Sequence, residues 1–421
     1  MDLYIAALIF SISIILLAKY KTKFIYIYIV LNVSMDVIIG FIDIDTAAMA
    51  LVRAIIALLY IGMVFKESRG KMFSSSYIIL VFYLYTLCLT LFSSNILLSI
   101  SFYMKVLITI TMFPVGAYYF DSINKLQKLN IATIWIMALV TINFIFTNIY
   151  GIGINPYGDS VDFYVGNLKL SAINTPVYSL LIIYSIIQFN KRQHIRYAII
   201  MAIPTFIFLL LSMKRISLVA LGAGFLIILY YSKAKLKYIT MLVTLVVIVL
   251  MISPFYSKIL DQQLKVRGDK LNVRIIEEES RYSETFLVWE KIILDKKPLQ
   301  TLFGIEIYNS IGYYADARSG RPLHVDYNVI LFGSGIIGLF LYIMIYVNIY
   351  NRFPTQKMMT GGNHNSMITL PQYSSLKTIF MSIILVSMII SLSGGMMGIS
   401  HRTIAFLYLG ACVGLTRKKR I

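Results

Sequence analysis

The stretch "LLLSMKRISLVALGAG", residues 209–224, sets two adjacent cations, Lys214 and Arg215, between two apolar runs. Each flanking run is long enough to lie in lipid, which takes ~20 apolar residues per helical span. The same pattern repeats along all 421 residues, of which 59% are hydrophobic and only 14% charged. The segments of ~10 alternating residues that mark a membrane β-barrel are not seen. The chain therefore reads as an all-α integral membrane protein, a polytopic bundle of about 11–14 transmembrane helices with one large external loop carrying short helices.

About thirteen spans are expected near 2–18, 24–42, 46–65, 76–94, 97–119, 131–150, 172–189, 197–212, 216–231, 238–254, 326–349, 375–393 and 401–416. The first, "LYIAALIFSISIILLA", has no basic leader or small-residue cleavage site and reads as a retained span. Three parts follow: a bundle of about ten spans over 1–254, a large loop over 255–325, and C-terminal spans with a basic tail over 326–421.

Short loops rich in Lys and Arg face the cytoplasm. Basic clusters occur at Lys19/Lys21/Lys23, Lys66/Arg69/Lys71, Lys125/Lys128, Lys191/Arg192/Arg196, Lys233/Lys235/Lys237 and Arg352/Lys357/Lys377, and in the tail "RKKR". They fall in every second loop, so a single orientation satisfies them all, with the N-terminus outside and the C-terminus inside. These clusters hold 21 cations and two anions, equal to the whole net charge of +19, whereas residues 255–326 hold eleven of each sign. Topology thus accounts for the basic balance, and no nucleic-acid partner is expected. Cys88 and Cys412 lie inside apolar runs and imply no disulfide framework, and the four scattered histidines give no metal-ligand spacing.

The orientation puts Lys214 and Arg215 outside, against the rule that the other basic loops obey. Snorkelling to headgroups or a miscounted span would account for them. The functional alternative is an external anion, because cations placed against topology mark functional sites. Asp36 and Arg53 fall in consecutive spans and are expected to pair inside the bundle, while Lys105 lies in the fifth span.

The segment 255–325 is too long for a plain linker. In "SETFLVWEKIILDKKPLQ", Phe286, Leu287, Trp289, Ile292 and Ile293 share roughly one helical face, and Pro298 follows the end. An amphipathic helix on the bundle or membrane surface is expected there. The loop leads into "HVDYNVILFGSGIIGLFLYIMIY", with His324 and Asp326 at the mouth of a span and Gly333, Gly335 and Gly338 deeper, where they permit close helix approach. Taken alone, His324 fits an interfacial hydrogen-bonding residue, Arg281 a solvated salt bridge, and Arg318 and Arg321 lipid headgroup contacts.

Three pieces in order, "SMKRISLVALGAG", "SRYSETFLVWEKIILDKKPLQTLFGIE" and "HVDYNVILFGSGIIGLFLYI", resemble the O-antigen and capsular polysaccharide polymerase and O-antigen ligase superfamily of multi-span lipid-linked glycan transferases. The resemblance covers roughly residues 200–350. It implies a metal-independent, inverting glycosyltransferase of the bacterial inner membrane with its site facing the periplasm or exterior. Such an enzyme polymerises undecaprenyl-diphosphate-linked repeat units into O-antigen, capsular polysaccharide or exopolysaccharide. No cofactor is implied; membrane lipid and a chain-length regulator protein are the implied partners.

The resemblance carries Arg215, Arg281 and His324 over as catalytic residues; beside them Lys214, a helper or a bystander, and Arg274, Arg318 and Arg321 are the candidate substrate contacts. The family often shows an arginine four residues before an aromatic, followed by Gly-x-Gly. Here Arg281 precedes Trp289 by eight, and Gly304 is followed by Ile305 and Glu306, so Arg274 competes for the loop role. His401 with Arg402 is the second candidate for the base. The chemistry suits these residue types. A guanidinium binds phosphate oxygens bidentately, and a neutral imidazole can take the proton of an acceptor hydroxyl near pH 7. Two other functions share the layout: a ligase moving glycan to a lipid A core or protein, and a lipid-linked oligosaccharide flippase. A nutrient permease would call for internal repeats and broken helices, and neither pattern is visible in the sequence.

Overall fold

The computed structural model of the chain describes residues 2–41, 46–74, 76–153, 164, 168, 172–212, 214–232, 234–251, 254, 257–258, 261–262, 265, 280–295, 297–310, 323–354, 368–394, 396 and 398–416. All regular structure among them is helical. Ten long helices come first: α1 (Asp2–Tyr20), α2 (Ile25–Phe41), α3 (Thr46–Ser68), α4 (Tyr77–Leu91), α5 (Ile96–Tyr119), α6 (Ile123–Tyr150), α7 (Thr175–Phe189), α8 (Arg192–Leu211), α9 (Arg215–Tyr231) and α10 (Lys235–Met251). Two short helices follow in the hydrophilic segment, α11 (Ser280–Trp289) and α12 (Pro298–Phe303). The chain then returns to long helices with α13 (Asp326–Arg352), α14 (Leu370–Ser391) and α15 (Ile399–Thr416). Eight helical segments among the described residues are long and apolar enough to cross a membrane, the first of them running through α1 and α2. This is a polytopic all-α membrane protein.

Helix ends follow local chemistry. Asn95 caps α5 by accepting the Leu98 N–H at 3.2 Å, and Thr369 and Gln372 form a reciprocal capping box at α14. Gly151 closes α6 at φ 61°. Within the helices, hydroxyls of Thr86, Thr133, Ser179 and Thr205 donate to carbonyls four residues back, which satisfies them without water.

Contacts between termini show that the long helices alternate in direction. At one end Tyr60 Oη donates to Thr22 O at 3.1 Å, Tyr26 Oη to Lys125 O at 3.2 Å, and Asn190 Nδ2 to Gln127 O at 3.1 Å. The described basic clusters lie here, and we term it the basic end. At the other end Ser217 Oγ donates to Asn174 Oδ1 at 2.7 Å, and Ser99 Oγ donates to Ile307 O at 2.8 Å. The soluble segment packs on this second, loop end.

The last helix lies at the centre, with every residue of α15 buried. It runs parallel to α5 along a glycine seam. A Cβ at Gly410 would lie 2.2 Å from Phe113 O, one at Gly414 2.5 Å from Phe120 O, and one at Gly116 2.5 Å from Leu407 O. In lipid no hydrophobic effect pulls helices together, so small residues that let backbones touch supply the packing. The expected pair between Asp36 and Arg53 is present at 2.8 Å, and Ser400 of α15 donates to the same carboxylate. Lys105 of α5 lies over the Phe102 ring, 4.6 Å from its centroid.

Two expectations change. The buried face of α11 and the π-helical turn after it (Glu290–Leu294) comprises Glu284, Val288 and Ile292, whereas Phe286 and Trp289 are exposed. Glu284, Val288 and Ile292 recur at four-residue spacing and form one stripe, and the two aromatics fall off it on the outward side. The glycines of α13 also serve a different neighbour. Gly335 has φ 64° and ψ −165°, which breaks α13. Residues 302–307 fill the break: Ile305 N–H donates to Phe332 O at 2.7 Å, and a Cβ at Gly335 would lie 2.3 Å from Leu302 O. Gly304, at φ 81°, faces Gly333 and Ser334 across the same contact. The close approach at Gly333 and Gly335 is thus to the soluble segment, including α12, while Gly338 faces Tyr85 of α4 as a helix-packing glycine.

Candidate functional site

The opening stretch folds as a tight corner between α8 and α9. Ser212 ends α8, Lys214 takes the N-cap position of α9, and Arg215 is its first residue. Lys214 is half-buried, while Arg215 is exposed. Ser217, one turn on, fixes the corner to the start of α7 through Asn174. The span count around the pair is therefore as expected, and both cations lie at the loop end.

His324 lies where the loop enters α13, with a half-buried side chain. Its backbone is held from two sides. Glu284 of α11 is 1% exposed and accepts from the N–H groups of His324 and Val325, each at 3.0 Å, and from Asn328 Nδ2 at 3.2 Å. A carboxylate suits this position, because the first N–H groups of a helix lack intrahelical partners and carry partial positive charge. From the other side Gly394, at φ 88°, presses on His324 O, where a Cβ would approach to 2.0 Å.

Arg281 is on α11, one turn before Glu284, so its backbone is brought to the His324 junction. Its side chain lies outside the described residues, as do Arg274, Arg318 and Arg321.

Behind His324 is a second set of groups. Asp326 is fully buried; its Oδ2 pairs with Arg402 Nη2 at 2.6 Å and its Oδ1 accepts the Met396 N–H at 2.7 Å. The same Arg402 nitrogen donates to Tyr342 Oη at 2.7 Å and Ser391 Oγ at 3.1 Å. These contacts bind α13, α14 and α15 together at the loop end and commit that edge of the guanidinium to structure.

His401 differs. It is fully buried, stacks on Tyr178 of α7 at 6.1 Å and 15°, and neither ring nitrogen has a hydrogen-bond partner among the described residues. Arg402 Nη1 and Thr403 Oγ1, on the same turn, also have none among the described residues. Buried polar groups are nearly always hydrogen-bonded, so three consecutive residues with open valences form the most unusual polar cluster at this end.

Arg215 adjoins Lys214 along the chain, and Arg402, next to His401, pairs with Asp326, two residues from His324. α7, α9, α13 and α15 all begin at this end, which adds positive helix-dipole character to the cations. Glu284 and the Asp326–Arg402 pair escaped sequence reasoning, since nothing local marks partners 40 or 76 residues apart. His401, the second candidate, is fully buried in α15 at the same end.

Among the described residues no three His, Cys, Asp or Glu side chains group as metal ligands. No family model matches the chain, and no curated protein matches it.

Proposed function

We propose that the protein is a membrane glycosyltransferase that polymerises lipid-diphosphate-linked oligosaccharide units, with its site at the loop end facing the periplasm or cell exterior. The supporting observation is that an exposed Arg215, a half-buried Lys214, His324 and a fully buried His401 all lie at the loop end, where the soluble segment packs. The segregation of basic clusters at the opposite end supports the orientation.

In this reading Arg215 and the loop arginine hold the diphosphate leaving group, and an imidazole takes the proton of the acceptor hydroxyl. The acceptor oxygen bonds to the anomeric carbon as the bond to the diphosphate oxygen breaks, which inverts that carbon. The diphosphate leaves with the electron pair, and fixed cations at its oxygens stabilise the developing charge. Glu284 acts as a positioning residue for His324 through the backbone.

The broken helix α13 favours one other reading, a transporter of the same lipid-linked glycan, because discontinuous helices recur at transporter sites. Against it, the break at Gly335 is filled by residues 302–307.

The test is polysaccharide ladder formation in a polymerase-deficient host, with each variant's protein level checked. Arg215→Lys should fail nearly as badly as Arg215→Ala, because a point charge does not replace a bidentate fork. Loss of one such stabilising donor should slow elongation by roughly 10²–10³-fold. His324→Ala should abolish the ladder while leaving donor binding intact. A normal ladder from both Arg215→Ala and His324→Ala would remove the proposal. Purified protein supplied with lipid-linked repeat units should lengthen them; transfer to a core acceptor would identify a ligase, and absence of either reaction a transporter.

A further inference from the structure

Far from the loop end, a cavity of about 360 Å³ lies between α7, α8, α9 and α10. Its volume falls in the ~300–1,000 Å³ range of ligand sites. The walls are apolar, with Leu180, Ala202, Phe225 and Ile228 among them. The lining residues come from the middles of α7 and α8 and from the parts of α9 and α10 nearer the basic end, and Lys237 stands at that rim.

α10 explains why the space exists. Tyr238 is the one buried side chain among the described side chains of this helix; it packs on Tyr184 at 5.1 Å and bonds to Gln188. Tyr238 thus ties α10 to α7 beside the cavity. Water does not suit the gap, since a buried water needs two to four polar partners. Leaving it empty would forfeit the dispersion contacts of its walls.

We propose that this cavity holds an acyl chain of an anionic diacyl phospholipid, whose phosphate pairs with Lys237. Charge complementarity decides the headgroup: Lys237 is exposed at the rim and Lys235, also exposed, opens the same helix. A second groove repeats the plan between α2 and α6, where Val30, Leu31 and Ile131 form apolar walls and exposed Lys128 and Trp135 belong to the lining. The lipid acts as a wedge that couples α10 to the bundle. This inference is independent of the glycosyltransferase reading.

The experiment places full-length protein in nanodiscs containing equal phosphatidylglycerol and phosphatidylcholine, releases it into mild detergent, and measures retained lipid by native mass spectrometry. The wild type should retain phosphatidylglycerol preferentially. Lys237→Gln, a surface change that leaves the walls intact, should lower that preference about fivefold, the effect of one basic residue near an anionic surface. Ala202→Phe, which fills the cavity, should reduce retention of both lipids. Equal retention by the wild type, an unchanged preference in Lys237→Gln, or displacement by an equimolar polyprenyl phosphate would overturn the assignment.

Discussion

Replacing Asp326 by Asn should destabilise the bundle severely, and replacing Arg402 as well should restore much of the loss. The guanidinium is 4% exposed, and its Nη2 donates to one carboxylate and two neutral hydroxyls. Asp326→Asn keeps an oxygen for the Met396 N–H but leaves the Arg402 charge uncompensated in the interior. Breaking a buried pair from one side costs about 3–5 kcal/mol, and Arg402→Met should cost a similar amount by stranding the carboxylate. The double variant Asp326→Asn/Arg402→Met strands no charge. It should lose at most about 3 kcal/mol, far below the sum of the single effects. Reversible unfolding of the purified protein in mixed micelles of rising SDS fraction measures all four corners of the cycle. Single effects that add to the double within about 0.5 kcal/mol would show that the pair is not coupled, and would refute its role as the tie between α13, α14 and α15.

Cysteines at Lys297 and Lys191, in a Cys88→Ser background, should differ in labelling by an impermeant maleimide. In intact cells or spheroplasts Lys297→Cys should react and Lys191→Cys should not; the reverse result would place the proposed site on the wrong side. Gly335→Ala forces a side chain into a conformation that strongly favours glycine and against Leu302 O, so α12 should detach and tryptic cleavage after Lys291 should quicken at least severalfold relative to wild type. Elongation activity should survive EDTA; loss restored by Mg²⁺ or Mn²⁺ would point to the loop carboxylates instead.

The alternation of basic clusters made the span order legible, and the helices begin and end close to the expected places. The corner at Lys214 and Arg215 was legible for the same reason, since a charge pair against topology stands out in one dimension. Asp36 and Arg53 could be matched because they sit in consecutive spans. What the linear pattern did not carry were relations set by packing. The buried stripe of α11 includes an acid, Glu284, so a search for an all-apolar face picked out the exposed aromatics instead. Gly335 in sequence is one glycine among three; its broken backbone faces residues 302–307. Glu284 reads as one acid in an acidic segment until its partners, the N–H groups of His324 and Val325 just before α13, are placed beside it.

The central position of α15 bears on how the protein is made. Synthesis runs from the N-terminus, so Ile399–Thr416 leaves the ribosome after the helices that come to surround it. Until then α5 has no partner for Gly116, Asp326 has no counter-ion and Asp36 lacks Ser400. A ribosome stalled before residue 399 should therefore leave α2, α5 and α13 without the partners that α15 supplies, and the truncated product should be degraded faster in the membrane than the full chain.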